Sequence, residues 1–223
     1  MSLANAHEDV VNLLKGMNLD RDQMKSILIA AMDLIKNPTP EEVKMVQAKR
    51  LISLGFHEAR EMNENEFLKA VPLPKEGKTG HILVISPRCV SISAAMALIE
   101  VDGMKGKNFL DPASLKDVVE TPAGMFYWRY DLLYKPYCGK SPATCEKLIK
   151  EEHRLQGTAN EAVYVVAQHP KILKEQFLDC PGSHGHRGRV PYLSLCDGRP
   201  KLSASGADGS IPSYGSFSFG SDS

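Results

Sequence analysis

Ten consecutive residues, Cys180-Pro181-Gly182-Ser183-His184-Gly185-His186-Arg187-Gly188-Arg189, gather one thiol, two imidazoles and two guanidinium groups. Three glycines among them let the backbone turn tightly around a bound group. Two binding chemistries fit this run. In the first, the glycine amides and the forks of Arg187 and Arg189, with Ser183, His184 and His186 beside them, hold a phosphate or carboxylate, the anions that planar guanidinium donors match. In the second, Cys180, His184 and His186 supply zinc ligands, with Cys138, Cys145 or Cys196 as a possible fourth; the spacing matches no common zinc module. Cys180 could also act as a nucleophile with a histidine as its base, but loop neighbours four to six residues apart seldom form a catalytic pair. Against all three stands the plain reading of a solvated polar loop leading into a strand at Val190, and of buried, inert cysteines.

Other motifs carry less. Gly77-Lys78-Thr79 has the ending of a phosphate-binding loop, yet the first glycine of that loop is missing and no strand precedes it. Phe126, Tyr127, Trp128 and Tyr130 could stack on bases, but only Arg129 and Lys135 interleave with basic charge, so a core strand is the expectation. No paired-carboxylate motif, G-x-S-x-G elbow or dinucleotide fingerprint is present.

The elements that must position these residues begin with helices. One is expected from about Asn5 to Lys15, ahead of Gly16. In a second, Met24, Ile27, Leu28, Ala31 and Ile35 form one stripe that stops at Asn37-Pro38. A third starts at Thr39-Pro40-Glu41-Glu42, a capping box with proline at the first turn, and stops at Gly55. Asn63 and Glu66 repeat the start signal for a short helix that must end before Pro72. Residues 72–80 change to proline, glycine and charge and read as an exposed connection.

Beyond it, Ile82 to Ile85 reads as a buried strand, and Ser91 or Ser93 caps a helical turn through Leu98. Met125 to Leu132 reads as a strand with Phe126, Trp128, Tyr130 and Leu132 on one face and Arg129 and Asp131 on the other. Ser141-Pro142 opens a helix expected to reach Gln156, and Thr158 with Glu161 opens another that ends before His169-Pro170. Val190 to Leu195 is a strand that Asp197-Gly198 can turn. The Ser/Gly-rich tail from Leu202 carries Ile211, Tyr214, Phe217 and Phe219. Residues 211–219 are therefore expected to dock along a sheet edge, where backbone bonds offset the cost of ordering.

The bulk numbers exclude several classes. Lys plus Arg equals Asp plus Glu at 27 each, which argues against a nucleic-acid backbone or an anionic membrane surface as partner. With 43% hydrophobic and 24% charged residues the chain has an ordinary globular composition. No apolar run suits a transmembrane helix, and the first residues lack the basic and apolar regions of a secretory signal. Five widely spaced cysteines suit reduced thiols and a cytoplasmic location.

Leu51-Ile52-Ser53-Leu54-Gly55 leading to Phe67, Ile82 to Pro87, Thr158 to His169-Pro170, Gly182-Ser183, Arg189-Val190-Pro191 and Pro200-Lys201-Leu202 together resemble a bacterial family catalogued as a domain of unknown function. The resemblance implies a shared α+β fold and no particular activity. The expected architecture is α+β, with a helical N-terminal subdomain (1–71), a linker (72–80) and a small mixed sheet flanked by helices (81–223). The expected function is a bacterial cytosolic protein that binds an unidentified ligand or protein without catalysing a reaction. Its alternative is an enzyme or a small-molecule or anion (phosphate or carboxylate) binder built on the 180–189 loop; no cofactor is expected, zinc being the one its side chains would suit.

Overall fold

The computed structural model describes residues 38–221. The two helices expected over residues 5–15 and from Met24 to Ile35 lie outside that range.

Helix α1 (Pro40–Ser53) starts where the capping box requires. Thr39 Oγ1 accepts from the Glu42 amide and Glu42 Oε2 accepts from the Thr39 amide, so two amides without helical partners are satisfied. Leu54 closes the helix, and Gly55 takes the left-handed φ of 88° that turns the chain away. After a 3-10 turn (Glu58–Arg60), α2 (Glu64–Ala70) repeats the box through Asn63 and Glu66. Strand β1 (Ile82–Ile85) is buried on both faces, and Ser91 Oγ caps α3 (Ile92–Leu98). A hairpin of β2 (Glu100–Val101) and β3 (Met104–Lys105) leads to the short strands β4 (Lys107–Asn108) and β5 (Lys116–Asp117).

The aromatic strand β6 (Phe126–Arg129) pairs antiparallel with β1. It is shorter than the span expected to Leu132, because Asp131 turns at a φ of 51°. Both of its faces are buried, so its aromatic rings are core and Arg129, on the opposite face, is enclosed too. Helix α4 (Pro142–Glu151) also stops short of Gln156: β7 (Leu155–Gln156) is needed to pair with β13 (Ser218–Phe219).

Helix α5 (Ala159–Gln168) is buried from Ala159 to Ala167. A helix that is apolar all round belongs in a core. It packs on β1 on one side and on β10 (Val190–Cys196) on the other, with α1 and α3 against it. The short α6 (Ile172–Glu175), β8 (Phe177–Asp179) and β9 (Ser183–His184) precede β10, which turns through Asp197-Gly198 into β11 (Arg199–Ser205). Both turn residues have positive φ, 51° and 73°, as a two-residue hairpin turn of this type needs.

The tail supplies β12 (Tyr214–Ser216), which lies parallel to β8 at the edge of a mixed five-stranded sheet ordered β12-β8-β10-β11-β4. Phe217 and Phe219 are fully buried, and the Phe217 ring lies so close to Gly157 that a Cβ there would sit 2.2 Å from it. The expected edge docking is thus observed from Tyr214 onward, while Ile211 stays exposed. One hydrophobic core runs from Val43 of α1 to Phe219 of β13, so the helices before residues 72–80 and the sheets after them bury their apolar faces together. Among the described residues no helix is long and apolar enough to cross a membrane.

Candidate functional site

The N-terminal end of α5 gathers polar side chains from four elements, α5 itself, β5, β6 and β9. Thr158 caps the helix: its Oγ1 accepts from the Glu161 amide, and Glu161 Oε2 accepts from the Thr158 amide at 2.9 Å. Strand β9 pairs with β5 so that Ser183 faces Asp117. The Ser183 hydroxyl donates to Asp117 Oδ1 at 2.6 Å and accepts from the Ala159 amide at 2.9 Å. Gly182 makes this approach possible, since a Cβ there would meet the carbonyl oxygens of Gln156 and Gly157 at 2.7 and 2.9 Å.

From β6 comes Arg129, whose Nε donates to Glu161 Oε1 at 2.5 Å. Both side chains are enclosed, at 5% and 0% exposure, and Tyr127 donates its hydroxyl to the same Glu161 oxygen at 3.4 Å. Burial and the Glu161 carboxylate push the Tyr127 hydroxyl far above its ordinary range. Glu161 therefore has a guanidinium, a phenol and a backbone amide around it, the arrangement that a buried carboxylate requires.

Beside this cluster opens a cavity of about 210 Å³. Pro87, Ile92, Pro112 and Leu115 give it apolar walls, and Ser91, Asp117 and Asn160 give it polar ones. Asn160 is 3% exposed; its Nδ2 donates to the Ile85 carbonyl at 3.0 Å, and its Oδ1 has no partner among the described residues. Asp117 remains exposed to solvent on β5; the burial it does have raises its carboxyl above the usual range, the Ser183 bond lowers it, and the nearby Glu161 charge raises it again. No cation pairs with Asp117 among the described residues.

A second enclosed polar position lies on β8. Asp179 is 1% exposed, its Oδ2 has no partner among the described residues, and burial lifts its carboxyl to about 7. Its cross-strand neighbours are Tyr192 and Ser216, and the Ser216 hydroxyl is likewise enclosed and without a partner.

The 180–189 run is divided between these surroundings and solvent. Ser183 belongs to the α5 cluster. Cys180 is buried, its thiol donates to the Leu178 carbonyl at 3.6 Å, and burial with the charges of Asp179, Glu161 and Asp117 pushes its pKa well up, away from the reactive thiolate. His184 is half-buried opposite Lys116. His186, Arg187 and Arg189 are exposed, and Arg187 turns at a φ of 57°. The zinc set Cys180, His184 and His186 is not assembled: among the described residues no three His, Cys, Asp or Glu side chains group to hold a metal. Of the cysteines weighed as a fourth ligand, Cys145 sits in a separate small cluster with Tyr137, and Cys138 and Cys196 are exposed.

Asp117, Asn160, Arg129 and Glu161 were not legible as a site in the sequence. Glu161 alone left a trace, as the acidic third residue of a helix that otherwise reads Ala-Val-Tyr-Val-Val-Ala: a wholly apolar helix buries its first turn, and a buried carboxylate needs a cation.

No curated protein and no solved structure matches the chain. A family model does, over residues 50–208, which take in α2, the α5 cluster, the cavity and the whole 180–189 run. The chain belongs to that family, which is described as a family of unknown function (DUF5701).

Proposed function

We propose that the chain is a bacterial cytosolic binding protein without catalytic activity, and that it takes a small ligand in the cavity beside α5. The observation that carries this reading is that Asp117 and Asn160 line one apolar-walled cavity while, among the described residues, the first has no cation and the second an oxygen with no partner. Ligand pockets combine mostly apolar walls with a few polar groups in this way. The reactive groups nearby are already committed, which speaks against catalysis. The Ser183 hydroxyl is engaged in both directions, the Cys180 thiol is enclosed, and Glu161 has its partners. All five cysteines are free, in keeping with a reducing compartment.

A fragment library screened by saturation-transfer NMR tests the reading. Fragments are expected to bind the native protein and to be lost in Leu115→Trp, which fills the cavity. A screen without binders, or binders indifferent to that substitution, would refute it. A second reading keeps the 180–189 loop as an anion site or the seat of an enzyme, supported by three exposed basic side chains, His186, Arg187 and Arg189, around a left-handed turn. Backbone amide shifts at Gly185 and Gly188 on titration with inorganic phosphate would favour it.

A further inference from the structure

Two carboxylates and one guanidinium meet at the start of α5, and they do not balance. Arg129 covers Glu161 at 2.5 Å, whereas Asp117 has only the neutral Ser183 hydroxyl. The surplus is one negative charge, and it lies on the cavity wall. Asn160, 3% exposed, adds an oxygen that can only accept and has no partner among the described residues. Asp117 and Asn160 Oδ1 are both acceptors, the Ser91 hydroxyl accepts from the Ala94 amide and keeps a proton to donate, and an anion placed there would face Asp117 with Glu161 behind it. A bare metal ion is a poor match, because two oxygens are too few for a hard cation and no larger ligand group exists among the described residues.

Building on the cavity-binding reading above, we infer that the cavity binds a small organic cation, an ammonium or amidinium head on a short apolar stem. The head would donate to Asp117 and to Asn160 Oδ1, and the stem would lie against Ile92, Pro112 and Leu115. A charge-assisted bond to a carboxylate is roughly twice as strong as a neutral one. Here it would also relieve a carboxyl that burial and Glu161 hold above its usual range. The size agrees: about 210 Å³ is smaller than most ligand pockets and suits a head group with only a few carbons.

Three probes of one shape test the inference on the full chain near neutral pH: n-butylamine, n-butanol and butyrate, followed by amide chemical-shift titration. The amine should bind at least about tenfold more tightly than the alcohol, as a charged bond predicts, with butyrate weakest. Asp117→Asn keeps an acceptor for Ser183. It should weaken the amine by about tenfold while leaving the alcohol within about twofold. Asp117→Glu, which keeps the charge, should restore part of the preference and guards against a folding defect in the first variant. If alcohol and amine bind equally and both are lost in Leu115→Trp, or if Asp117→Asn leaves the amine unaffected, the charge inference fails while the cavity remains a binding site. If no probe binds, or none responds to Leu115→Trp, both fail.

Discussion

Cys180 to Ser183 and His186 to Arg189 are neighbours on the chain with opposite surroundings. The first four residues are enclosed between α5, β5 and β10, and Ser183 is bonded on two sides. The last four are exposed around a left-handed turn. Composition would give the second group the chemistry, since it has an imidazole and two guanidinium groups, yet the structure gives these none of the enclosed partners that sharpen binding. The plainer residues, a serine beside a glycine, hold Asp117 at a cavity. A polar side chain acts through what burial and its neighbours do to it, and enclosure multiplies a charge that water would otherwise screen.

The largest expected difference between the two regions comes from Glu161→Ala. It strands the Arg129 guanidinium in the core, which costs about 3–5 kcal/mol, and removes the acceptor of the Thr158 amide, worth about 1 kcal/mol more. Urea unfolding should show the loss, and a midpoint within error of the native protein would mean that solvent reaches Arg129.

Asp179 offers a smaller effect with a sign of its own. Its folded pKa of about 7 lies above the ordinary 3.8, so the native state keeps a proton that the unfolded chain releases. Its contribution is fully present below about pH 4 and is lost as pH rises to about 7, an amount of about 2–4 kcal/mol. Asp179→Asn should flatten that slope and make the protein more stable above neutral pH. Unfolding curves at acidic and alkaline pH check this, and an unchanged slope would show that Asp179 is ionised within the fold.

The smallest effect belongs to the exposed half. Arg187→Ala and Arg189→Ala together should move stability by no more than about 0.5 kcal/mol, as surface changes without partners do. A drop comparable to that of Glu161→Ala would erase the contrast between the two halves and place the arginines in a structural role.

What could be read in advance, and what could not, follows the sequence distance of the interactions. The capping boxes at Thr39–Glu42, Asn63–Glu66 and Thr158–Glu161 act over three residues and form as expected. The Asp197-Gly198 turn is equally local, and so is its hairpin. The alternation that put Phe126 and Trp128 on one face of β6 set Arg129 on the other, but it gave no partner for Arg129, which meets Glu161 across 32 residues. Strands β4, β5, β7 and β13 are two residues long, too short to leave any periodic pattern. They exist because a neighbouring backbone needs partners.

The sequence by itself determined the helix starts from α1 to α5, the stops of all of them but α4, the strands β1 and β10, an α+β class and membership of a recognisable family. Those features depend on backbone bonds and side-chain caps closed within one turn, or on apolar runs whose burial any compact fold must satisfy. The tertiary structure alone decided that Asp117, Asn160, Arg129 and Glu161 converge, and that Arg187 and Arg189 do not. Ser183 reaches Asp117 across 66 residues and Asn160 reaches Ile85 across 75. At such separations the contact is set by how α5 packs between its two sheets, and so is the dry environment around Arg129 and Glu161.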